Sequence, residues 1–329
     1  MPSDQDVPKS SRPMTDSQSH QTRPIEISIV SPVYQAATIV PHLVREITAN
    51  VGPLAKDFEI VLVEDGSKDD SWRAICVECN NDSRVRGVKL SRNFGQHHAI
   101  TAGLAAARGE WIVVMDCDLQ DRPDQIPHLY ETALKGFDSV CAQRINRSDS
   151  VIKRFYSKAF YRLFSYLTET DQDASIGNFG IYNRKVIDAI LSLQESNRYF
   201  PTMVQWVGYR RTKLPVLHAA RLHGSSTYNF GKLIRLAANN IVSFSDKPLR
   251  IVVLAGIVIS GLSIMIGAGY LIGNHLGIVT VPGYTSLIVS VWLTAGIIIF
   301  VLGVVGLYVG KTFAGVKMRP HYLIEERAN

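Results

Sequence analysis

Two stretches near the C-terminus, Ile251–Gly273 and Ser286–Gly310, carry no charged side chain, and no other feature narrows the possible architecture as much. As a helix rising 1.5 Å per residue, each would reach about 35 Å, enough to cross a hydrocarbon core of about 30 Å with some tilt. The competing reading, an apolar hairpin inside a large soluble core, needs two consecutive helices that are apolar on every face, which soluble cores rarely contain. Gly256, Ser260, Gly261, Gly267 and Gly269 would weaken a helix in water. In a bilayer such small residues let helices approach closely, so helix pairing and a homo-oligomer are expected.

The flanks set the orientation. Lys247 and Arg250 precede the first stretch, Lys311, Lys317 and Arg319 follow the second, and Asn274–Thr285 between them has no cation. Both ends are therefore expected in the cytosol, at an inner or plasma membrane. The formal net charge of +6 suits anionic headgroups. A nucleic acid would suit the same sign and charge alone does not separate the two, though no nucleic-acid partner is expected. The four cysteines are expected to stay reduced, and the lone Cys76-x-x-Cys79 has no second pair to make a metal site. Residues 1–24 are polar and nearly devoid of apolar side chains, which predicts a disordered tail without a signal-peptide core.

From Ile25 onward, short apolar runs alternate with amphipathic segments. Strands are expected at Ile27–Ser31, Glu59–Val63, Val85–Leu90, Trp111–Met115 and Ser139–Ala142. Helices are expected near Ile39–Asn50, Asp70–Asn80 and Gln96–Ala107 and after Pro123. That alternation implies βαβ units and a mostly parallel, Rossmann-like α/β sheet, whose ligands sit beyond the C-terminal strand ends. Three polar groups fall at such ends: Ser31-Pro32-Val33-Tyr34, Glu64-Asp65-Gly66-Ser67 and Asp116-Cys117-Asp118. No G-x-G-x-x-G opens the first helix, so a dinucleotide fold has little support. Asp116 and Asp118 concentrate negative charge that a cation would neutralise, and oxygen-only donors suit Mg²⁺ or Mn²⁺ bridging to a diphosphate. Further on, Ser150–Thr168 mixes Lys153, Arg154, Lys158 and Arg162 with six aromatic residues. It reads as an amphipathic helix at the membrane interface, or else as a helix packed on the domain with a basic edge. Phe230–Phe244 is a second such segment, just before the first apolar stretch.

These rim motifs, with Leu90-Ser91-Arg92-Asn93-Phe94-Gly95-Gln96 and Met115 to Asp121, resemble the family 2 GT-A glycosyltransferases. Within them the chain is similar to the polyprenyl-phosphate group, which includes bactoprenol glucosyltransferases and dolichyl-phosphate mannose synthases. The resemblance runs from Ile25 to the end. It implies metal-dependent, inverting transfer of a sugar from a nucleotide-sugar, by default a UDP-hexose such as UDP-glucose, to undecaprenyl phosphate on the cytosolic face. The product would be a lipid-linked monosaccharide for an envelope glycan, with a flippase as a further partner. On this resemblance Pro32, Tyr34, Glu64 and Asp65 hold the nucleoside, and Asp116, Asp118 and Gln120 organise the metal and diphosphate. Arg144, Lys153, Ser157, Arg221, His223 and Ser225 meet phosphate groups.

Three positions depart from the family pattern: Glu64 replaces Asp, Gln35-Ala36 replace Asn-Glu, and Asn178-Phe179-Gly180 replace Asp-Phe-Arg. The last removes a carboxylate of proposed catalytic role, which could pass to Asp173 or to no residue. A lipid phosphate is already anionic and can attack without a general base. The implied organisation is a catalytic domain over 25–228, a juxtamembrane helix over 229–248, a two-helix transmembrane hairpin over 249–310 and a basic cytosolic tail over 311–329. Two rivals remain. A processive polysaccharide synthase would carry Q-x-x-R-W, which Gln205-Trp206-Val207-Gly208-Tyr209 does not match. A non-catalytic adaptor for a sugar-lipid flippase would have no need of Asp116, Asp118, Arg144 and Arg221.

Overall fold

The computed structural model describes residues 25–145, 175–195, 198–217, 245, 247–276 and 283–329. Among them an eight-stranded sheet has the order β7-β5-β6-β4-β1-β2-β3-β8. The first five strands are β1 (Ile27–Val33), β2 (Phe58–Glu64), β3 (Val85–Leu90), β4 (Trp111–Val114) and β5 (Ser139–Ile145). They are followed by β6 (Ile176–Asn183), β7 (Arg211–Leu217) and β8 (Ile324–Ala328). Parallel pairing joins β1 to β2 and β4, β2 to β3, and β5 to β7; only β6 and β8 run the other way.

Every residue of β1, β2 and β4 is buried, the mark of parallel strands covered on both faces. One layer sets α1 (Val40–Val51), α2 (Ser71–Asn81) and α4 (Ile126–Ala133) over a core that includes Ile29, Leu43, Ile47, Leu62 and Leu129. The other sets α3 (Gln96–Ala106), α5 (Arg184–Ser192) and α6 (Phe200–Trp206) over Val30, Val63, Ile100, Ile187 and Phe200. Gly103 lets α3 lie close to the sheet, because a Cβ there would sit 2.4 Å from Val30 Cγ1. At the N-terminal strand ends, buried Glu59 accepts from Ser28 Oγ at 2.6 Å and from Arg86 Nη1 at 2.9 Å. Its Oε1 also takes the Arg108 N–H at 2.6 Å, so one carboxylate ties β1, β2, β3 and the end of α3 together.

The five early strands and their helices fall within a few residues of the expected bounds. The later ones do not. β6 returns antiparallel between β4 and β5, and β7 follows, neither marked by a clean alternation in sequence. Residues 311–329, expected as a basic tail, carry regular structure. Helix α8 (Tyr284–Val316) absorbs the first of them, and Ile324–Ala328 adds an antiparallel edge strand to β3. Five charged-rich residues, Ile-Glu-Glu-Arg-Ala, read as solvated chain; pairing with β3 is what makes them a strand.

Two long helices, α7 (Lys247–His275) and α8, span 29 and 33 residues and begin and end beyond the uncharged stretches. Among the described residues one helical segment, Leu293–Val316, is long and apolar enough to cross a membrane, and none of it is buried. The expected tail at 1–24, the interfacial helix at 150–168 and the segment at 230–244 lie outside the described residues.

Candidate functional site

The C-terminal ends of β1, β2 and β4 form one rim, and the loops leaving them are tied to one another. Gln35 N–H donates to Ser67 Oγ at 3.0 Å, Ala36 N–H to Ser71 Oγ at 3.0 Å and Ala37 N–H to Asp69 Oδ2 at 3.3 Å. Tyr34, one residue past β1, leaves 46% of its surface exposed, while Pro32 stays buried within the strand. Glu64 and Asp65 are both buried. Glu64 accepts the Ser67 N–H and so holds the turn after β2. The Asp65 carboxylate takes Phe94 N–H at 2.7 Å and Gly95 N–H at 2.9 Å, and its carbonyl takes Asn93 Nδ2 at 3.0 Å. The Phe94 and Gly95 bonds favour the ionised carboxylate, but burial outweighs them and raises its pKa. Gly66 is required here: its φ is +65°, and a Cβ would meet Asn93 N at 2.2 Å.

The loop that Asp65 holds leads straight into α3, whose first residue reaches the carboxylate pair. Gln96 Nε2 donates to Asp116 Oδ1 at 2.7 Å, and Asn178 Nδ2 donates to the same oxygen at 3.3 Å. Burial, then the charges of Asp121 and Asp118, push the Asp116 carboxyl up to about 6, against the Asn178 bond and Arg144. Gln120 N–H donates to Asp118 Oδ1 at 3.2 Å, in a loop where Leu119 holds a φ of +57°. Arg144, on β5, lies 3.3 Å from the buried Asp121. Its guanidinium rests over Gly177, where a Cβ would come within 3.0 Å of Nη2. Among the described residues no group of three His, Cys, Asp or Glu could hold a metal ion by itself. The Asp116 and Asp118 carboxylates offer oxygen donors of the type that Mg²⁺ and Mn²⁺ take.

Of the residues picked from sequence, the structure thus brings Asp116, Asp118, Gln120 and Arg144 to one side of the rim, with Tyr34 at its open edge. Glu64 and Asp65 act on the backbone of the neighbouring loops. Asp173, Lys153, Ser157, Arg221, His223 and Ser225 lie outside the described residues. Sequence reasoning missed Gln96 and Asn178 as partners of Asp116. Gln96 closed a quoted motif and was the available signal; Asn178 was noted only for what it replaces. As an amide it cannot take up a proton, and its part here is that of a donor to Asp116. Cys76 and Cys79 are free thiols on α2, with Cys79 pushed up to about 11 chiefly by burial.

The model of glycosyl transferase family 2 matches residues 28–202, which span this rim, Arg144 and Asn178. The chain belongs to that family. This glycosyltransferase is 33% identical over 303 residues to the bactoprenol glucosyl transferase of Shigella phage SfII, covering 92% of this chain and 98% of that one. It is 33% identical over 313 residues to the undecaprenyl-phosphate 4-deoxy-4-formamido-L-arabinose transferase of Klebsiella pneumoniae, covering 91% and 93%. Among solved structures it is similar to glucosyl-3-phosphoglycerate synthase from Mycobacterium tuberculosis in complex with Mn²⁺, uridine diphosphate and phosphoglyceric acid. The TM-score there is 0.50 at 17% identity, over 67% of this chain and 77% of that one. That likeness is one of fold, a GT-A-like α/β architecture with a mostly parallel sheet.

Proposed function

We propose that this glycosyltransferase moves a sugar from a nucleotide-sugar, by default a UDP-hexose, to a polyprenyl phosphate such as undecaprenyl phosphate at the cytosolic membrane face. Support comes from relatives whose names carry that acceptor and whose likeness covers nearly the whole length, apolar helices included. One structural observation carries the reading. After α8 ends at Val316, the chain reaches Leu323, whose carbonyl accepts the Ser91 N–H at 2.9 Å beside the carboxylate rim. The seven residues 317–323 can span at most about 25 Å, so the end of the most apolar helix lies near the site. If α8 crosses the bilayer, the rim faces the lipid headgroups.

The same return supports a two-span hairpin. Strand β7 precedes α7 and β8 follows α8 in one sheet, so a crossing by one helix requires a crossing back by the other. Tyr308 Oη donates to the Ser245 carbonyl at 2.9 Å, in keeping with such pairing.

Within the site, Asp116 and Asp118, with Gln120, would hold Mg²⁺ or Mn²⁺ through oxygen donors. Bound there, the ion supplies positive charge to the departing nucleoside diphosphate. Gln96 and Asn178 fix the Asp116 carboxylate so that its charge is aimed before substrate arrives. Arg144 offers a planar cation at the edge of the same cluster. The acceptor phosphate is anionic at neutral pH and attacks the anomeric carbon opposite the leaving group, inverting its configuration, without a base from Asn178 or Asp173. Asp118→Asn removes one charge at nearly constant volume. Across a nucleotide-sugar panel with undecaprenyl phosphate, it should abolish transfer while membrane insertion and the thermal midpoint stay unchanged. Transfer retained in the chelator-treated variant would sink the metal reading.

A further inference from the structure

The segment that returns from α8 is bonded to the enzyme far more thoroughly than a terminal connection requires. Ser91 N–H is held by the Leu323 carbonyl, and Lys89 Nζ lies 3.0 Å from Glu325 Oε1. Trp72 Nε1 donates to Glu326 Oε2 at 2.9 Å, and Asn329 Nδ2 donates to the carbonyls of Ser83 at 2.9 Å and Val85 at 3.0 Å. The His321 ring stacks on His98, with centroids 6.2 Å apart and planes 25° from parallel. Three of these contacts, at Lys89, Ser91 and His98, fall on one stretch of chain, Lys89 to His98, and the others anchor the segment to α2 and to the start of β3. Inside that stretch lie the loop held by Asp65 and the Gln96 amide that grips Asp116.

His98 is the third residue of α3 and Gln96 the first, so both ride on one helical turn. A ring pressed on His98 resists rotation of that turn. Arg198, fully buried, donates to the carbonyls of Leu193 at 2.7 Å and Ile190 at 2.9 Å and approaches Thr101 Oγ1 at 3.4 Å. It braces α3 from the side of α5, while the C-terminal segment reaches α3 through His321. Rotation of the first turn by a fraction of an ångström at Cα would be magnified at the Gln96 amide, which extends well beyond the backbone.

We infer that the C-terminal segment is a working part of the donor site: His321 is a positioning residue that, through its stack on His98, sets Gln96 against Asp116. This rests on the reading of the Asp116 rim as the donor-diphosphate site. It also gives the apolar helices a second consequence for catalysis, since α8 is joined through residues 317–323 to the loop that orients Asp116. Movement of α8 in the bilayer then alters donor binding.

The test is steady-state kinetics of the full chain in detergent, with donor and undecaprenyl phosphate varied separately. His321→Ala should raise the donor KM by about threefold to tenfold and leave the acceptor KM unchanged. His321→Phe, which keeps a flat ring on His98, should restore most of the loss. A purely structural role would lower the active fraction, so that kcat falls and the donor KM holds, and that result overturns the proposal. Should His321→Ala fail to fold, the double variant Glu325→Gln, Glu326→Gln loosens the same segment, and the donor KM must rise there too. A wild-type chain that turns over no nucleotide-sugar would instead count against the site itself.

Discussion

Asp116 takes two amide donors on one oxygen, while burial and its negative neighbours push its carboxyl up to about 6. The histidines that follow Gln96 are perturbed in the other sense. Burial pushes both His97 and His98 down to about 4, from an ordinary value near 6.5. The unfolded chain therefore binds these protons first, and their contribution to stability is present above pH 6.5 and is lost as pH falls from 6.5 through 4. Asp116, its pKa raised, contributes in the opposite direction, so a variant isolates the effect. Between pH 6.5 and 4 the thermal midpoint of the wild type should fall further than that of His98→Asn. Equal falls would show that His98 takes up its proton as readily folded as unfolded. At this scale Asp116 and Asp118 stood out in the sequence as acidic residues directly after an apolar strand, whereas Arg144 was marked only by the family resemblance. The sequence did not show that Glu64 and Asp65 also accept backbone N–H groups of the neighbouring loops. Those contacts depend on where loops from three strands meet.

Among the elements, β1 to β5 and their helices follow from alternation of buried strands with amphipathic helices, and their ends fall close to expectation. The strands that escaped notice, β6, β7 and β8, are stabilised by neighbours distant in sequence. β6 inserts between β4 and β5, and β8 joins β3 from the far end of the chain. Such pairing leaves little local pattern. The Glu59 cluster is the clearest case of one residue joining several elements. Its carboxylate, 3% exposed, answers Ser28, Arg86 and the Arg108 amide. Removing it leaves the half-buried Arg86 without its carboxylate, with the Ala106 carbonyl left to accept from it. Glu59→Ala should therefore cost about 3–5 kcal/mol, read as a lower thermal midpoint of the detergent-solubilised protein. A change below about 1 kcal/mol would mean that water replaces the lost partner.

For the molecule as a whole, the decisive relation is between the sheet and the two long helices. If the proposed hairpin crosses the bilayer, single cysteines at Arg250 and at Lys317 should be labelled from one side of sealed vesicles. A cysteine in the 276–283 connection should be labelled from the other; labelling of all three from one side would leave the helices outside the bilayer core. The apolar stretches were evident from composition alone, but their route back to the carboxylate rim was not, because the strand that makes it carries a solvated sequence. On the proposed reading, this rim delivers a sugar to a lipid phosphate. The most direct measurement supplies the purified full chain, with Mg²⁺ or Mn²⁺, with undecaprenyl phosphate and nucleotide-sugars labelled in the sugar. The label should pass into the organic phase in step with release of nucleoside diphosphate, and only when the lipid is present. Diphosphate released at the same rate without lipid, with the label left in water, would contradict it.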